Sequence, residues 1–201
     1  MHSAADSAPP LPIVALVASA GGLDALGTVL GGLPPGLPAA VVVLQHLEPG
    51  RASLLSGLLA RRTALQVEEA RDGAVLRAGT VYVAPSSHHL RLAAAGTLEL
   101  TDTARVHFSR PSADVLLASL ADAPNPLVAV VLTGRGCDGA EGSLHVRESG
   151  GTVLAQDERT SRYYGMPGAA VRLGSVEESL PLPEIAPRLL GLLETLHARP
   201  R

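Results

Sequence analysis

Short apolar runs alternate along the chain with stretches in which apolar residues return every three or four positions. Three runs are apolar throughout: "PIVALVAS" (12–19), "AAVVVLQH" (39–46) and "LVAVVLTG" (127–134). A strand covered on both faces reads this way, as in a parallel sheet. Shorter strands are predicted in "LQVEEA" (65–70), "GTVYVAP" (79–85) and "GTVLAQD" (151–157), the first two separated by a turn at Asp72-Gly73. "HHLRLAAAGTLELT" (88–101) alternates on either side of Ala94-Ala95-Gly96 and predicts a β-hairpin. Helical spacing follows in "GGLDALGTVLGGLP", where Leu23, Leu26, Val29 and Leu30 share a face before a Gly-Gly stop. It returns in "GRASLLSGLLARRT" (50–63) and in "SADVLLASLADA" (112–123), with Ser112 or Asp114 placed to cap. Further helices are predicted in "DGAEGSLHVRESGG" (138–151), in "PGAAVRLGS" (167–175) opened by Pro167, and over 183–197.

Strands alternating with helices predict an α/β fold: a doubly wound, mostly parallel sheet with helices on both faces. This is a Rossmann-like three-layer sandwich with a small β-hairpin. Residues 1–11 read as a flexible lead-in and 12–197 as one domain, with no repeat or composition shift to divide it.

In such a sheet, sites gather at the carboxyl ends of the strands. The three most apolar runs end at Ser19, at Gln45-His46 and in "TGRGCDG", where Asp138 opens the next helix. Ser19 has three readings: a helix cap, the rim of a phosphate cradle, or a nucleophile on a strand-to-helix turn. The run V-A-S-A-G-G lacks the G-x-G-x-x-G fingerprint, no lysine closes a Walker loop, and a G-x-S-x-G elbow is half matched because Val17 stands at its first glycine. His46 is set in turn chemistry where a base could reach a hydroxyl. Asp138 is either a cap or the group that orients His46. His88-His89 tempts as a metal pair, but adjacent strand residues point to opposite faces, so both read as surface residues. Arg110 is placed to anchor a loop or meet a carboxylate.

Composition narrows the partners. Hydrophobic residues make up 46% and aromatics 2%, so the core is built from Leu, Val and Ala, and the scarcity of aromatics argues against nucleic-acid binding by base stacking. The net charge of −3 argues against a phosphate-backbone binder, and the all-arginine basic set reflects composition bias. One cysteine, Cys137, makes no internal disulfide or metal cluster; no cofactor or metal is expected. No signal peptide or membrane insertion is expected, and a cytoplasmic location is the default.

The ordered blocks "VASAGG", "VVVLQH", "SRPSADVLL" (109–117), "VVLTGRGCDGAEG" (130–142) and "YGMPGAA" (164–170) resemble the catalytic domain of CheB, the protein-glutamate methylesterase of chemotaxis-type signalling. The resemblance runs from about Pro12 to Leu193. It implies a Ser–His–Asp triad of Ser19, His46 and Asp138. Amides at Ala20, Gly21 and Gly22 would hold the oxyanion, with Arg135 and Met166 positioning substrate. The implied reaction is hydrolysis of glutamate methyl esters, with deamidation of glutamines in some members. The implied partners are methylated receptor cytoplasmic helices and a histidine kinase or response regulator acting in trans. The chain reaches its first strand within a dozen residues, with no receiver domain ahead of it, so control in cis by phosphorylation is not expected. Three positions depart from the family pattern: Ala20 where Thr is usual, Arg135 where Met is usual, and Ser109 where His is usual. They motivate two alternatives, a catalytically weak or inactive binding module and a hydrolase of another small ester.

Overall fold

The computed structural model describes residues 10–46 and 54–198. Nine strands and six helices follow one another in these residues. The strands are β1 (Ile13–Ala18), β2 (Ala40–Gln45), β3 (Gln66–Glu69), β4 (Thr80–Val83), β5 (His89–Leu92), β6 (Leu98–Thr101), β7 (Leu127–Val131), β8 (Thr152–Gln156) and β9 (Glu178–Leu180). The helices are α1 (Gly22–Gly31), α2 (Leu55–Ala60), α3 (Ala113–Ala121), α4 (Ala140–Glu148), α5 (Gly165–Leu173) and α6 (Leu182–Ala198).

Seven strands form one sheet in the order β3-β4-β2-β1-β7-β8-β9. Every pairing in it is parallel. From β1 the chain builds outward to one side, then returns to lay β7 on the other side. The three most apolar runs are therefore neighbours, and the switch point lies between β1 and β7. The strands β5 and β6 make a separate antiparallel hairpin, as the alternation predicts.

Side chains leave a strand to alternate faces, which divides the core in two. Val14, Leu16 and Ala18 of β1 join Val41 and Val43 of β2, together with α1, α2 and α6, on one face. Ile13, Ala15 and Val17 join Val42, Leu44, Ala129 and Val131, with α3 and Met166 of α5, on the other. With no tryptophan and one phenylalanine, which is itself exposed, these layers are filled mainly by aliphatic residues, with Tyr82 the one fully buried aromatic among the described residues.

Three expectations shift. The chain forms an additional edge strand, β9, whose sequence Glu-Ser-Leu carries no apolar run. The helix expected from Pro167 begins two residues earlier, at Gly165. The helix expected over 50–63 occupies Leu55–Ala60, and its residues 50–53, like residues 1–9 of the lead-in, lie outside the described residues.

Candidate active site

The register of the central strands sets the site. Ala18 is paired with Gln45, so Ser19 and His46 are the next opposed positions. The ladder continues one step further: the His46 amide donates to the Ala18 carbonyl (3.1 Å) and the Ser19 amide to the Thr133 carbonyl (3.0 Å). Neighbouring parallel strands lie about 4.8 Å apart. Alternation puts Ser19 in phase with Val17, and His46 with Leu44, on the face covered by α3 and α5.

Asp138 precedes α4 on that same face and is 3% exposed. Its carboxylate is held from four directions. Oδ2 accepts from His46 Nε2 (2.7 Å) and the Ala113 amide (2.8 Å); Oδ1 accepts from the Ser112 hydroxyl (2.7 Å) and the Asp114 amide (3.1 Å). Two of these donors are first-turn amides of α3, where an anion is favoured. Burial pushes the Asp138 carboxyl up, but the His46 bond, the two amides and the Ser112 hydroxyl together outweigh it. The group is held well below the usual carboxylate range. An ionised carboxylate only accepts, so His46 Nε2 carries a proton, and in the neutral ring the lone pair lies on Nδ1. Asp138 therefore fixes the tautomer of a histidine standing across from Ser19.

Ser112 is itself fixed. It caps α3, accepting from the Val115 amide (3.5 Å), and its own amide donates to His89 Nδ1 (3.2 Å). His89 Nε2 donates to the Ala104 carbonyl (3.0 Å). The expectation that His89 is a surface residue is overturned: it is 0% exposed, because in "HHLRL" the inward phase falls on the second histidine. His88 takes the outward phase and lies 3.3 Å from Asp102. A polar chain thus runs from Ala104 through His89, Ser112 and Asp138 to His46. Arg110 anchors a loop, donating to the carbonyls of Asp102 and Thr103 (3.0 and 2.9 Å).

The turn after Ser19 follows from close packing. Gly21 caps α1 at φ 80, in the left-handed region, and a Cβ there would lie 3.2 Å from Arg162 Cβ. A Cβ on Gly134 would lie 2.2 Å from Met166 Sδ and 2.9 Å from Ser19 Cβ, so only glycine lets the three meet. Met166 is fully buried beside the serine. The Gly22 amide is spent on the Ser19 carbonyl (2.9 Å), which removes Gly22 as an oxyanion donor. The Ala20 and Gly21 amides have no acceptor among the described residues. The Ser19 hydroxyl forms no hydrogen bond to another described residue. The Thr133 hydroxyl ties this turn to a further segment, donating to the Ala20 carbonyl (3.1 Å) and accepting from the Tyr163 amide (2.9 Å).

Asp114 stands behind Asp138. Its Oδ1 accepts from the amides of Gly139 (2.9 Å) and Gly142 (2.7 Å), tying α3 to the start of α4. Burial, reinforced by the negative Asp138 beside it, pushes its carboxyl up to about 6 against the pull of those amides. Among the described residues, His107, Asp114 and Glu141 are a set whose donor atoms lie within 4.8 Å of one another. Two of the three are exposed, and His107 Nε2 lies 3.6 Å from Asp114 Oδ2. No described helix is long and apolar enough to cross a membrane.

A parallel doubly wound sandwich, with a serine, a histidine and a buried aspartate along the carboxyl edge at its switch point, is the class that fold and edge define. The chain belongs to the CheB methylesterase family, whose model matches residues 14–189. It is 42% identical over 183 residues to the protein-glutamate methylesterase FrzG of Myxococcus xanthus, covering 90% of this chain and 55% of that protein. It is 46% identical over 193 residues to a protein-glutamate methylesterase/protein-glutamine glutaminase of Pseudomonas aeruginosa, covering 92% of this chain and 55% of that one. The CheB methylesterase catalytic domain of Thermotoga maritima superposes with a TM-score of 0.86 at 35% identity, covering 92% of this chain and all of that domain. The chain spans about half the length of the curated relatives it matches.

Proposed function

We propose that this chain is a protein-glutamate methylesterase in which Ser19 is the nucleophile, His46 the general base and acid, and Asp138 the group that orients His46. The observation that carries the reading is the 2.7 Å bond between His46 and an ionised, four-fold held Asp138, one register step from Ser19. In this reading His46 Nδ1 takes the proton of the Ser19 hydroxyl as its oxygen attacks the ester carbonyl. The Ala20 and Gly21 amides receive the oxyanion. As the acyl–oxygen bond breaks, His46 returns the proton to the departing methoxide, releasing methanol. Water, deprotonated by the same histidine, then frees the glutamate from Ser19. In this reading the Ser19 hydroxyl, which bonds to no other described residue, turns to His46 Nδ1 when substrate binds, since catalytic hydrogen bonds are often completed only in the complex.

The substrates in this reading are glutamate methyl esters on receptor signalling helices in the cytoplasm, where a histidine kinase or response regulator would act in trans. The names of the relatives also support deamidation of glutamine by the same steps, with ammonia as the leaving group. Release of labelled methanol from a methylated receptor tests the reading. Ser19→Ala is expected to lower the rate by about 10³-fold or more, and equal release by the variant would sink it. A fluorophosphonate probe separates esterase from inactive module: labelling that disappears in Ser19→Ala supports the nucleophile, and an intact fold with no labelling supports the module.

A further inference from the structure

Two arginines flank the Ser19 turn with no carboxylate within ion-pair distance among the described residues. Arg135 lies with its guanidinium carbon 4.4 Å from the centre of the Tyr163 ring, and Arg162 with its own at 5.8 Å from the same centre. Both arginines are exposed and Tyr163 is half-buried. Their backbones are tied to the nucleophile turn. Arg135 follows Gly134, which packs against Ser19, and the Gly134 amide donates to the Tyr163 carbonyl (2.9 Å). Tyr163 is joined to the Ala20 carbonyl through the Thr133 hydroxyl, and Arg162 packs on Gly21. The three residues thus belong to segments that pack on or bond to the turn at 19–21.

Two like charges gathered on one ring repel each other. The face of Tyr163 attracts each of them, and the Arg135 guanidinium, more than that of Arg162, holds the Tyr163 hydroxyl below its usual range. The ring orients the pair without neutralising it. In a chain of net charge −3, this leaves unpaired positive charge beside Ser19. A carboxylate bound between two guanidiniums would remove the repulsion and gain charge-assisted hydrogen bonds.

We propose that Arg135 and Arg162, stacked on Tyr163, form a carboxylate-binding subsite that reads an acidic side chain flanking the scissile ester. The proposal rests on the methylesterase reading of Ser19. It makes the preferred substrate a glutamate methyl ester with another acid next to it or one helical turn away. Residues three or four apart on a helix stand about 5–6 Å from one another. The arginine that replaces the family's usual methionine would therefore be a specificity determinant.

The test uses helical peptides that carry one glutamate methyl ester, with Glu or Gln at the flanking positions. Wild type is expected to show kcat/KM about five-fold higher on the acidic peptide, an effect carried by KM. The ratio should shrink in 0.5 M salt, as interactions between exposed charges do. In Arg135→Gln and Arg162→Gln the ratio falls, and in the double variant it approaches one. Fluorescence anisotropy of Ser19→Ala with the same ester peptides reads binding without turnover, and should show the same preference and the same loss. Hydrolysis without preference, or preference that survives in the double variant, overturns the subsite. Preferential binding with no hydrolysis by wild type overturns the esterase reading and leaves the subsite standing. Equal binding of both peptides overturns the subsite whatever the hydrolysis result.

Discussion

Asp138 accepts from four donors and has no acceptor position to spare. Asp138→Asn would turn an amide NH₂ toward groups that are themselves donors. The expected cost is about 2 kcal/mol or more of stability, seen as a lower urea midpoint. Turnover should fall by about 10³–10⁴-fold, because His46 loses the partner that sets its tautomer. A variant that keeps full turnover would show that another group orients His46. Asp114 behaves oppositely. Its folded carboxyl titrates near 6, above the free value of 3.8, so the fold favours the protonated form. That contribution is fully present below about pH 3.8 and is lost as pH rises through 6. Asp114→Asn keeps an acceptor for the Gly139 and Gly142 amides and never ionises. Its stability relative to wild type should therefore improve between pH 4 and 7.5, by on the order of 2 kcal/mol. Urea denaturation at both pH values checks this, and a gap that does not change with pH would refute it. Asp138 contributes with the opposite sign: its stabilisation is present above the ordinary carboxylate range and fades only as pH falls through its depressed folded value.

At the scale of elements, the site depends on how strand ends are stacked. Gly134→Ala would press a methyl group into Met166 and Ser19. It should cost about 1–3 kcal/mol and displace the serine, lowering turnover by more than the stability loss explains once assayed well below the unfolding midpoint. Unchanged turnover would mean that Met166 does not fix the serine. His89→Phe leaves the Ser112 amide without its acceptor, and a loss of about 1–3 kcal/mol is expected. Calorimetry would show it, together with a lower kcat if Ser112 positions Asp138. The central strands were legible because β1, β2 and β7 are apolar on both faces and end in polar residues. Ser19, His46 and Asp138 stand out after the same runs, but each alone reads equally as a cap or a structural residue, and the roles proposed for them come from the family resemblance. The strand β9 was not legible, since an edge strand of Glu-Ser-Leu has no periodicity to show. His89 was misread because a two-residue polar step does not reveal which member faces in. Its burial is set by the hairpin's packing on α3. Arg162 and Tyr163 gave no signal at all. They reach Ser19 through Thr133 and Gly134, contacts that only the folded chain makes.

At the scale of the whole molecule, two consecutive strands and a third far along the chain carry the site. His46 and Asp138 are 92 positions apart and meet because β2, β1 and β7 are neighbours. Pairings of this separation form late and slowly, since loop closure must precede the contacts that reward it. A partly folded chain with β1 and β2 paired but β7 absent would hold the serine opposite the histidine and lack the aspartate, the Thr133 anchor and the Gly134 wall. On that order of events, and with Ser19, His46 and Asp138 acting as proposed, catalytic competence would report the last long-range event of folding. The chain has no tryptophan, so refolding is best followed by far-UV circular dichroism. Esterase activity should return only with the slowest refolding phase, after most helical signal has recovered; activity returning with the early phase would contradict this. The switch point between β1 and β7 is where the chain's longest loop must close, so on this expectation the edge that carries Ser19 is completed only with the native sheet.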